Sequence, residues 1–309
     1  MHPASRSRIT QIADQTIDEM SDPDSLHRFL FEQAGARGEL AYLDASWRAI
    51  LAIQTYPLAV QDQLGRALAA VALLSATIKF EGSLILQVQA DGPLRTLVAQ
   101  ATNQRTVRGL ARWEGEVPVG ADLAETFGHG RLVLTIERPG AEPYQGIVPL
   151  EGHDLAQAIE RYFTTSEQLP TRLWLEASPQ RAAGMLLQRL PGAVGDAEDW
   201  ERIGLLANTL TRTELLGLPA EGLLHRLFHQ EEVRLFDSEP VAFRCGCSRQ
   251  RIEDTLRALG RDEVEQTAAD EGGIAVTCEF CNREYRFDPV DIQQLFVDAP
   301  HHQPPAGRH

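Results

Sequence analysis

The apolar positions along the chain switch between helical spacing and strand-like alternation, and this switching predicts the first elements. Apolar residues three and four apart are typical of a helix with one buried face, whereas alternation is typical of a half-buried strand. We predict helices at Ser46–Gln54, Leu58–Lys79 and Asp154–Phe163, and one that starts at Asp22–Pro23 and carries Leu26, Phe29, Leu30 and Phe31. We predict strands at Ser83–Ala90, Val107–Trp113, Arg131–Glu137, Tyr144–Leu150, Arg172–Glu176 and Met185–Leu190.

These elements predict an α+β domain that ends near Pro191, and the pattern changes beyond it. From Ala197 to about Phe228 the spacing is helical throughout, with apolar stripes separated by Glu and Arg. Ordinary core packing accounts for such stripes, and a regulated, detachable helical connector is the alternative interpretation. A last small unit runs from about Val241 to Val297.

Composition and charge narrow the function classes. The 309 residues are enough for one large domain and a smaller one, because single cores rarely grow past roughly 250 to 300 residues. A net charge of −15 repels a phosphate backbone, so we expect no nucleic-acid partner. The longest uncharged apolar run, Ala67–Ile78, is too short for a bilayer span and predicts a buried helix. The first twenty residues lack the apolar core of a secretory signal, and we expect a cytoplasmic protein without membrane contact.

All four cysteines fall in the last unit, which is not the distribution of a secreted disulfide framework. Cys245 and Cys247 form a Cys-x-Cys pair, and Cys278 and Cys281 form a Cys-x-x-Cys pair about thirty residues later. Closely spaced thiolates on two tight turns can converge on one tetrahedral zinc ion at about 2.3 Å. Gly246 permits the tighter turn, and Asn282, directly after the second pair, can adopt the left-handed conformation that suits a zinc knuckle. We therefore predict one Zn²⁺ per chain.

The rest of this unit supports a metal crosslink. Its few apolar residues make a thin core for fewer than 60 residues: Phe243, Ile252, Leu256, Leu259, Ile274, Val276, Tyr285 and Phe287. The arginines adjacent in sequence to the ligands are either groups that favour thiolates or ordinary solvated side chains: Arg244, Arg249, Arg251 and Arg283. Spacing alone does not distinguish a static zinc staple from a redox switch, and the static staple is the simpler interpretation.

Several short sequence motifs outside the cysteine pairs add to the picture. They are Leu26–Glu32 (LHRFLFE) with Arg37–Glu39, Leu74–Phe80 (LSATIKF), Gln89–Pro93 (QADGP), Tyr144–Gly146 (YQG), Leu150–Gly152 (LEG), Tyr162–Arg172 (YFTTSEQLPTR), Ala182–Gln188 (AAGMLLQ), Leu218–Ala220 and His229–Val233 (HQEEV). Together with the four cysteines, they resemble the redox-regulated heat-shock protein 33 family, also called the 33 kDa chaperonin. The resemblance covers about Leu26 to Phe296 and leaves the N-terminal extension and the Pro/His tail without a family motif.

The resemblance implies a domain organisation. Its parts are an N-terminal extension at residues 1–24, a chaperone core of β-sheet and helices at 25–192, a helical linker at 193–238, a zinc-binding redox-switch domain at 239–297 and a disordered tail at 298–309.

The resemblance also implies an ATP-independent holdase that is inactive when reduced and zinc-loaded. Hypochlorous acid, or peroxide with heat, would form the disulfides Cys245–Cys247 and Cys278–Cys281 and release zinc. The zinc domain and linker would then unfold and expose apolar surface to unfolding client proteins, and the active form would be a homodimer.

Two other classes of function compete with this prediction. A static zinc-ribbon adaptor would keep its zinc under oxidation. An enzyme is not expected, since four thiolates leave zinc no open position and Cys278–Cys281 lies outside any βαβ pattern. The segment Gly128–Gly130 is interpreted as a turn, and His225 and His229 are interpreted as surface or interface histidines.

Overall fold

The computed structural model describes residues 24–78, 81–192 and 195–297. The strands are β1 (Ser25–Phe31), β2 (Ala36–Leu43), β3 (Ser83–Ala90), β4 (Leu94–Thr102), β5 (Thr106–Trp113), β6 (Gly130–Glu137), β7 (Tyr144–Pro149), β8 (Thr171–Ala177), β9 (Ala182–Arg189), β10 (Val233–Leu235), β11 (Glu239–Pro240), β12 (Ala242–Phe243), β13 (Ile274–Thr277) and β14 (Glu284–Phe287). The helices are α1 (Ala45–Leu51), α2 (Leu58–Thr77), α3 (Leu123–Phe127), α4 (Leu155–Thr165), α5 (Ala197–Ala207), α6 (Arg212–Gly217), α7 (Ala220–Phe228), α8 (Arg249–Leu259), α9 (Arg261–Glu271) and α10 (Pro289–Val297).

The chain divides after Arg244 into two compact units. The first unit contains two sheets, with strand orders β10-β1-β2-β9-β8 and β12-β5-β4-β3-β6-β7, and β11 pairs with β1. Neighbouring strands are antiparallel except for β12 and β5. The predicted α+β class is therefore confirmed.

Helix α2 lies within the main core of the first unit. Its residues share one hydrophobic cluster with side chains from both sheets, and the whole run Ala67–Ser75 is buried. Small residues let the sheet approach closely, since a Cβ atom on Gly65 would lie 2.5 Å from the Cβ of Ala177. The predicted buried helix is confirmed. Within the described residues, no helix is both long and apolar enough to cross a bilayer.

The connector helices α5, α6 and α7 cover the other face of the sheet that contains β1 and β2. Their buried residues form a second cluster with this face: Trp200, Ile203, Leu215, Leu223, Leu224, Leu227 and Phe228. Phe228 packs edge-on against Phe31, with the ring centroids 4.9 Å apart. Charged contacts flank the cluster, including the ion pair of Arg172 and Glu201 at 3.0 Å.

One predicted helix is wrong. The segment with Leu26, Phe29 and Phe31 is strand β1, and the Asp22–Pro23 start lies outside the described residues. Leu26 belongs to the cluster around α2, whereas Phe29 and Phe31 belong to the cluster around α5–α7. A strand that is buried on both faces lacks alternation, so its apolar run resembles a helix pattern. The second unit contains α8, α9, the β13–β14 hairpin and α10.

The predicted domain boundaries stay predictions. In the structure, β11 and β12 of residues 239–243 pair with β1 and β5 of the first unit. The predicted tail and nearly all of the predicted N-terminal extension lie outside the described residues.

Candidate metal centre

The four cysteine side chains of the second unit meet at one point. The first pair precedes α8, and the second pair occupies the turn between β13 and β14. All four sulfur atoms lie within 4.8 Å of one another. The Sγ atoms of Cys245 and Cys278 are 3.6 Å apart, and those of Cys247 and Cys281 are 3.4 Å apart. The two turns predicted from sequence are thus brought together, with the four cysteines free of disulfides.

The spacing of the sulfur atoms fits a metal ion. A tetrahedral zinc site with bonds of about 2.3 Å places its sulfurs about 3.8 Å apart, near the two contact distances observed here. Four thiolates are a donor set that suits zinc or another soft ion. Within the described part of the chain, no other group of three or more His, Cys, Asp or Glu side chains converges in this way.

The backbone of the second turn is built around Cys278. Its carbonyl accepts hydrogen bonds from the N–H groups of Cys281 at 3.2 Å and Asn282 at 2.7 Å, and its own N–H donates to Arg283 at 2.9 Å. Asn282 has φ of 55°, which confirms the left-handed residue expected after the second pair. This conformation closes the hairpin and directs both cysteines to the same side.

The first turn is held differently. Ser248 accepts the Arg251 N–H at 3.3 Å and so caps α8, while the Arg251 guanidinium donates to the Gly246 carbonyl at 3.1 Å. Gly246 is not among the glycines with positive φ, and a Cβ atom there would meet only the Arg251 side chain, at 3.3 Å. The tight turn therefore does not require a left-handed glycine.

The thiols have different acidities because their surroundings differ. Partial burial raises the pKa of Cys247, but hydrogen bonds, first from Tyr285 and then from the other cysteines, outweigh it and lower the pKa to about 7. Burial raises the pKa of Cys278 to about 12 and also raises the pKa of Cys281. The first thiolate is thus favoured at Cys247, and a bound cation would displace protons from the other sulfurs.

The neighbouring arginines serve several roles. Arg249 forms ion pairs with Asp291 at 2.8 Å and Glu253 at 3.2 Å and lies over the Phe287 ring. It therefore joins α8 to α10 and β14. Arg283 is the arginine whose charge acts on the sulfurs: hydrogen bonding to Tyr285, and then the charges of Tyr285, Cys247 and Cys281, raise its pKa.

The core around this centre is small. Six apolar residues are buried in it: Leu256, Val264, Ala268, Phe287, Ile292 and Leu295. The core is thin, as predicted, but two predicted members do not belong to it. Phe243 packs against the main cluster of the first unit, and Leu259 at the end of α8 is exposed. So few buried side chains supply little stabilisation to a unit of this length, which leaves room for a metal crosslink to contribute.

Two motifs away from the cysteines are structural. Gly128 ends α3 with φ of 66°, and the His129 N–H donates to the Asp91 carboxylate at 2.6 Å, so this segment is the predicted turn. His225 on α7 and His229 directly after it are exposed, with ring centroids 6.0 Å apart, as expected for surface histidines.

Sequence analysis placed Tyr285 only in the core, but the structure gives it a second role. Its hydroxyl donates to the Cys247 sulfur at 3.2 Å, across 38 residues of sequence. The contact follows from the register of the hairpin and the position of the first turn, neither of which leaves a local sequence signal.

The first unit is built of sheets and helices, and the second carries four cysteines that could bind a metal ion. The chain is therefore an α+β protein with a candidate four-cysteine metal site. The family model for the Hsp33 protein matches residues 24–288. The 33 kDa chaperonin of Nitrosococcus oceani is 63% identical over 90% of this chain and 96% of its own length. That of Azotobacter vinelandii is 48% identical over 94% of this chain and 100% of its own length.

A solved structure shows the same fold. The crystal structure of the 33 kDa chaperonin from Thermotoga maritima superposes with a TM-score of 0.78 at 23% identity, covering 88% of this chain and 97% of that chain. The chain belongs to the Hsp33 family. This is a family of chaperones and not a known class of enzyme.

Proposed function

We propose that this chain is an ATP-independent holdase chaperone that is activated by oxidation of its four cysteines. In the reduced protein, Cys245, Cys247, Cys278 and Cys281 would together hold one zinc ion, which supplies a crosslink between two distant turns. The observation that carries the proposal is the meeting of all four sulfur atoms within 4.8 Å, in a unit with six buried apolar residues.

Oxidation by hypochlorous acid or peroxide would form the disulfides Cys245–Cys247 and Cys278–Cys281. As each disulfide forms, its two thiolates give up two electrons to the oxidant, and two sulfurs leave the metal-binding set. Two sulfur contacts in the reduced protein run between the pairs, at 3.6 and 3.4 Å. Pairing within each turn is favoured once the ion leaves and the unit opens, because short loops cost the least entropy to close.

Loss of the crosslink would unfold the second unit and then release the connector helices. The face that α5–α7 cover carries Phe29 and Phe31, both buried in the structure. Exposure of this apolar face would give unfolding client proteins a surface to bind. A homodimer as the active form and a location in the cytoplasm complete the proposal, with neither nucleic acid nor membrane as a partner.

The test measures zinc release and suppression of client aggregation in the same samples, before and after hypochlorous acid. We expect one zinc per reduced chain, its release on oxidation and a parallel gain in holding activity, with mass spectrometry identifying the two proposed disulfides. Cys278→Ser is the control, because it lacks one ligand and one disulfide partner.

The competing function, a static zinc-ribbon adaptor, predicts a different result. Its zinc content and its effect on aggregation would be the same with and without oxidant. If oxidation releases zinc but holding activity does not rise, the redox switch is rejected. The assignment of the four cysteines as zinc ligands would still stand.

A further inference from the structure

The sulfur atoms receive hydrogen bonds of two kinds. The main-chain N–H of Phe280 donates to the Cys278 sulfur, and that of Arg283 donates to the Cys281 sulfur. The Cys247 sulfur instead receives a side-chain donor, the Tyr285 hydroxyl, with an O–S distance of 3.2 Å. Every non-proline residue offers a main-chain N–H, whereas the third hydrogen bond depends on the identity of residue 285.

The fold holds the Tyr285 hydroxyl in place from several sides. Tyr285 lies on β14 opposite Val276 of β13, and its half-buried ring packs against the core of the second unit. Arg283, two residues earlier on the same hairpin, also hydrogen-bonds to Tyr285. The hydroxyl is therefore fixed beside one sulfur of the cluster.

Oxidation of Cys247 by peroxide uses a lone pair of the sulfur that accepts the hydrogen bond of this hydroxyl. The thiolate sulfur attacks one peroxide oxygen, so an S–O bond forms, the O–O bond breaks and hydroxide leaves. A second thiolate then attacks the sulfenic sulfur, so the S–S bond forms and the S–O bond breaks with loss of another hydroxide. The two sulfurs lose two electrons and one peroxide gains them.

We propose that Tyr285 is a positioning residue that slows oxidation of Cys247 by hydrogen bonding to its sulfur and covering one side of it. The inference rests on the proposed redox function and adds a determinant of its oxidant threshold. A hydrogen bond to a sulfur that carries charge stabilises the resting thiolate more than the neutralised product, so it raises the barrier to attack. Tyr285 would thus set how much peroxide is needed to activate the protein.

The first test compares the full-length protein with Tyr285→Phe, which keeps the ring and removes the hydroxyl. Zinc release by peroxide is followed with a colorimetric chelator. Loss of one hydrogen bond should make release about three- to tenfold faster. Transfer of zinc to the same chelator without peroxide should keep its wild-type rate. Tyr144→Phe is the matched control, since it removes a hydroxyl that bonds to Glu167 in the first unit.

The second test is spectroscopic and reports on the sulfur directly. In the cobalt(II)-substituted protein, the sulfur-to-metal charge-transfer band of Tyr285→Phe should move to lower energy, because Cys247 becomes more electron-rich without its donor. A residue that serves only packing would leave this band unchanged. Tyr144→Phe should give the wild-type spectrum.

The outcomes separate this inference from the function on which it rests. If wild-type protein keeps its zinc in peroxide and hypochlorous acid, both are overturned. If wild-type protein responds and Tyr285→Phe responds at the same rate, only the role of Tyr285 is overturned. Equal acceleration with and without peroxide would also overturn it, since the hydroxyl would then only hold the site together.

Discussion

The two compact units differ in what stabilises them. In the first unit, one hydrophobic cluster spans both sheets and α2, and a second fills the space under α5–α7. In the second unit, six buried apolar residues share the task with four converging sulfurs. Oxidants do not affect the stabilisation that comes from buried apolar side chains, but they do react with thiolates. A chain built in this way can lose one unit to a chemical change and keep the other.

The largest expected effect comes from metal removal. Structural zinc contributes on the order of 10 kcal/mol in small zinc-dependent domains, so a chelator should unfold the second unit and release α5–α7, while the two large sheets and α2 stay folded. Hydrogen exchange should show lost amide protection within residues 245–297 and in α5–α7, with the strands of the two large sheets still protected. Of the four tryptophans, Trp200 lies on α5 and should report the release, whereas the fluorescence of Trp47 and Trp113, which pack in the α2 cluster, should change little.

Cys278→Ser provides the matched control for this experiment, because it should show the same loss of protection without any chelator. If the amides of residues 245–297 stay protected after complete zinc removal, the contrast between the two units is wrong. The small apolar core would then be sufficient to keep the second unit folded.

A smaller effect should separate the two faces of the β1–β2 sheet. Phe228 of α7 is 2% exposed and packs against Phe31, so Phe228→Ala should cost about 3 to 5 kcal/mol. The loss should fall mainly on the connector helices, because the α2 cluster does not include Phe228. We expect stronger binding of an apolar dye and partial holding activity in the reduced, zinc-loaded protein.

Phe236→Ala is the control for this substitution, as Phe236 is 40% exposed. Cooperative unfolding of the entire first unit by Phe228→Ala would show that the two faces are one stability unit and would reject a detachable connector.

The smallest expected effect concerns a buried charge in the first unit. Glu39 on β2 is 2% exposed, and its Oε2 has no hydrogen-bond partner among the described residues. Burial raises the pKa of Glu39 from 4.5 to about 7, against the lowering effect of Arg37, Arg28 and Arg105. The folded protein thus keeps a proton that the unfolded chain releases above pH 4.5.

Stability should therefore fall as pH rises from 4.5 to about 7 and then level off, by at most about 3 kcal/mol from this group. Glu39→Gln should flatten that decline. Urea unfolding followed by tryptophan fluorescence at pH 5 and pH 8 measures it, with the exposed Glu116→Gln as control. An equal decline in both variants would show that Glu39 is charged in the folded protein.

The success of sequence prediction depended on how each segment is buried. The bounds of β3, Ser83–Ala90, match the prediction, and α2 follows the predicted helix to Thr77. The apolar run of β1 predicts a helix because both faces of the strand are buried. The pattern does not predict strands β2 and β4, and seven of the eight residues of β2 are buried, which hides any alternation. Tertiary burial on two sides erases the pattern on which such predictions depend.

By itself, the sequence determined the two cysteine pairs, the family motifs, the long buried helix and the thin C-terminal core, since local spacing and composition specify these. Only the tertiary structure decided how near the four sulfurs lie to one another, that Tyr285 donates to Cys247, that Glu39 is buried and which sheet face the connector covers. These features join residues that are far apart in the chain. Their contacts depend on strand register and packing, which act through space and leave no mark on neighbouring residues.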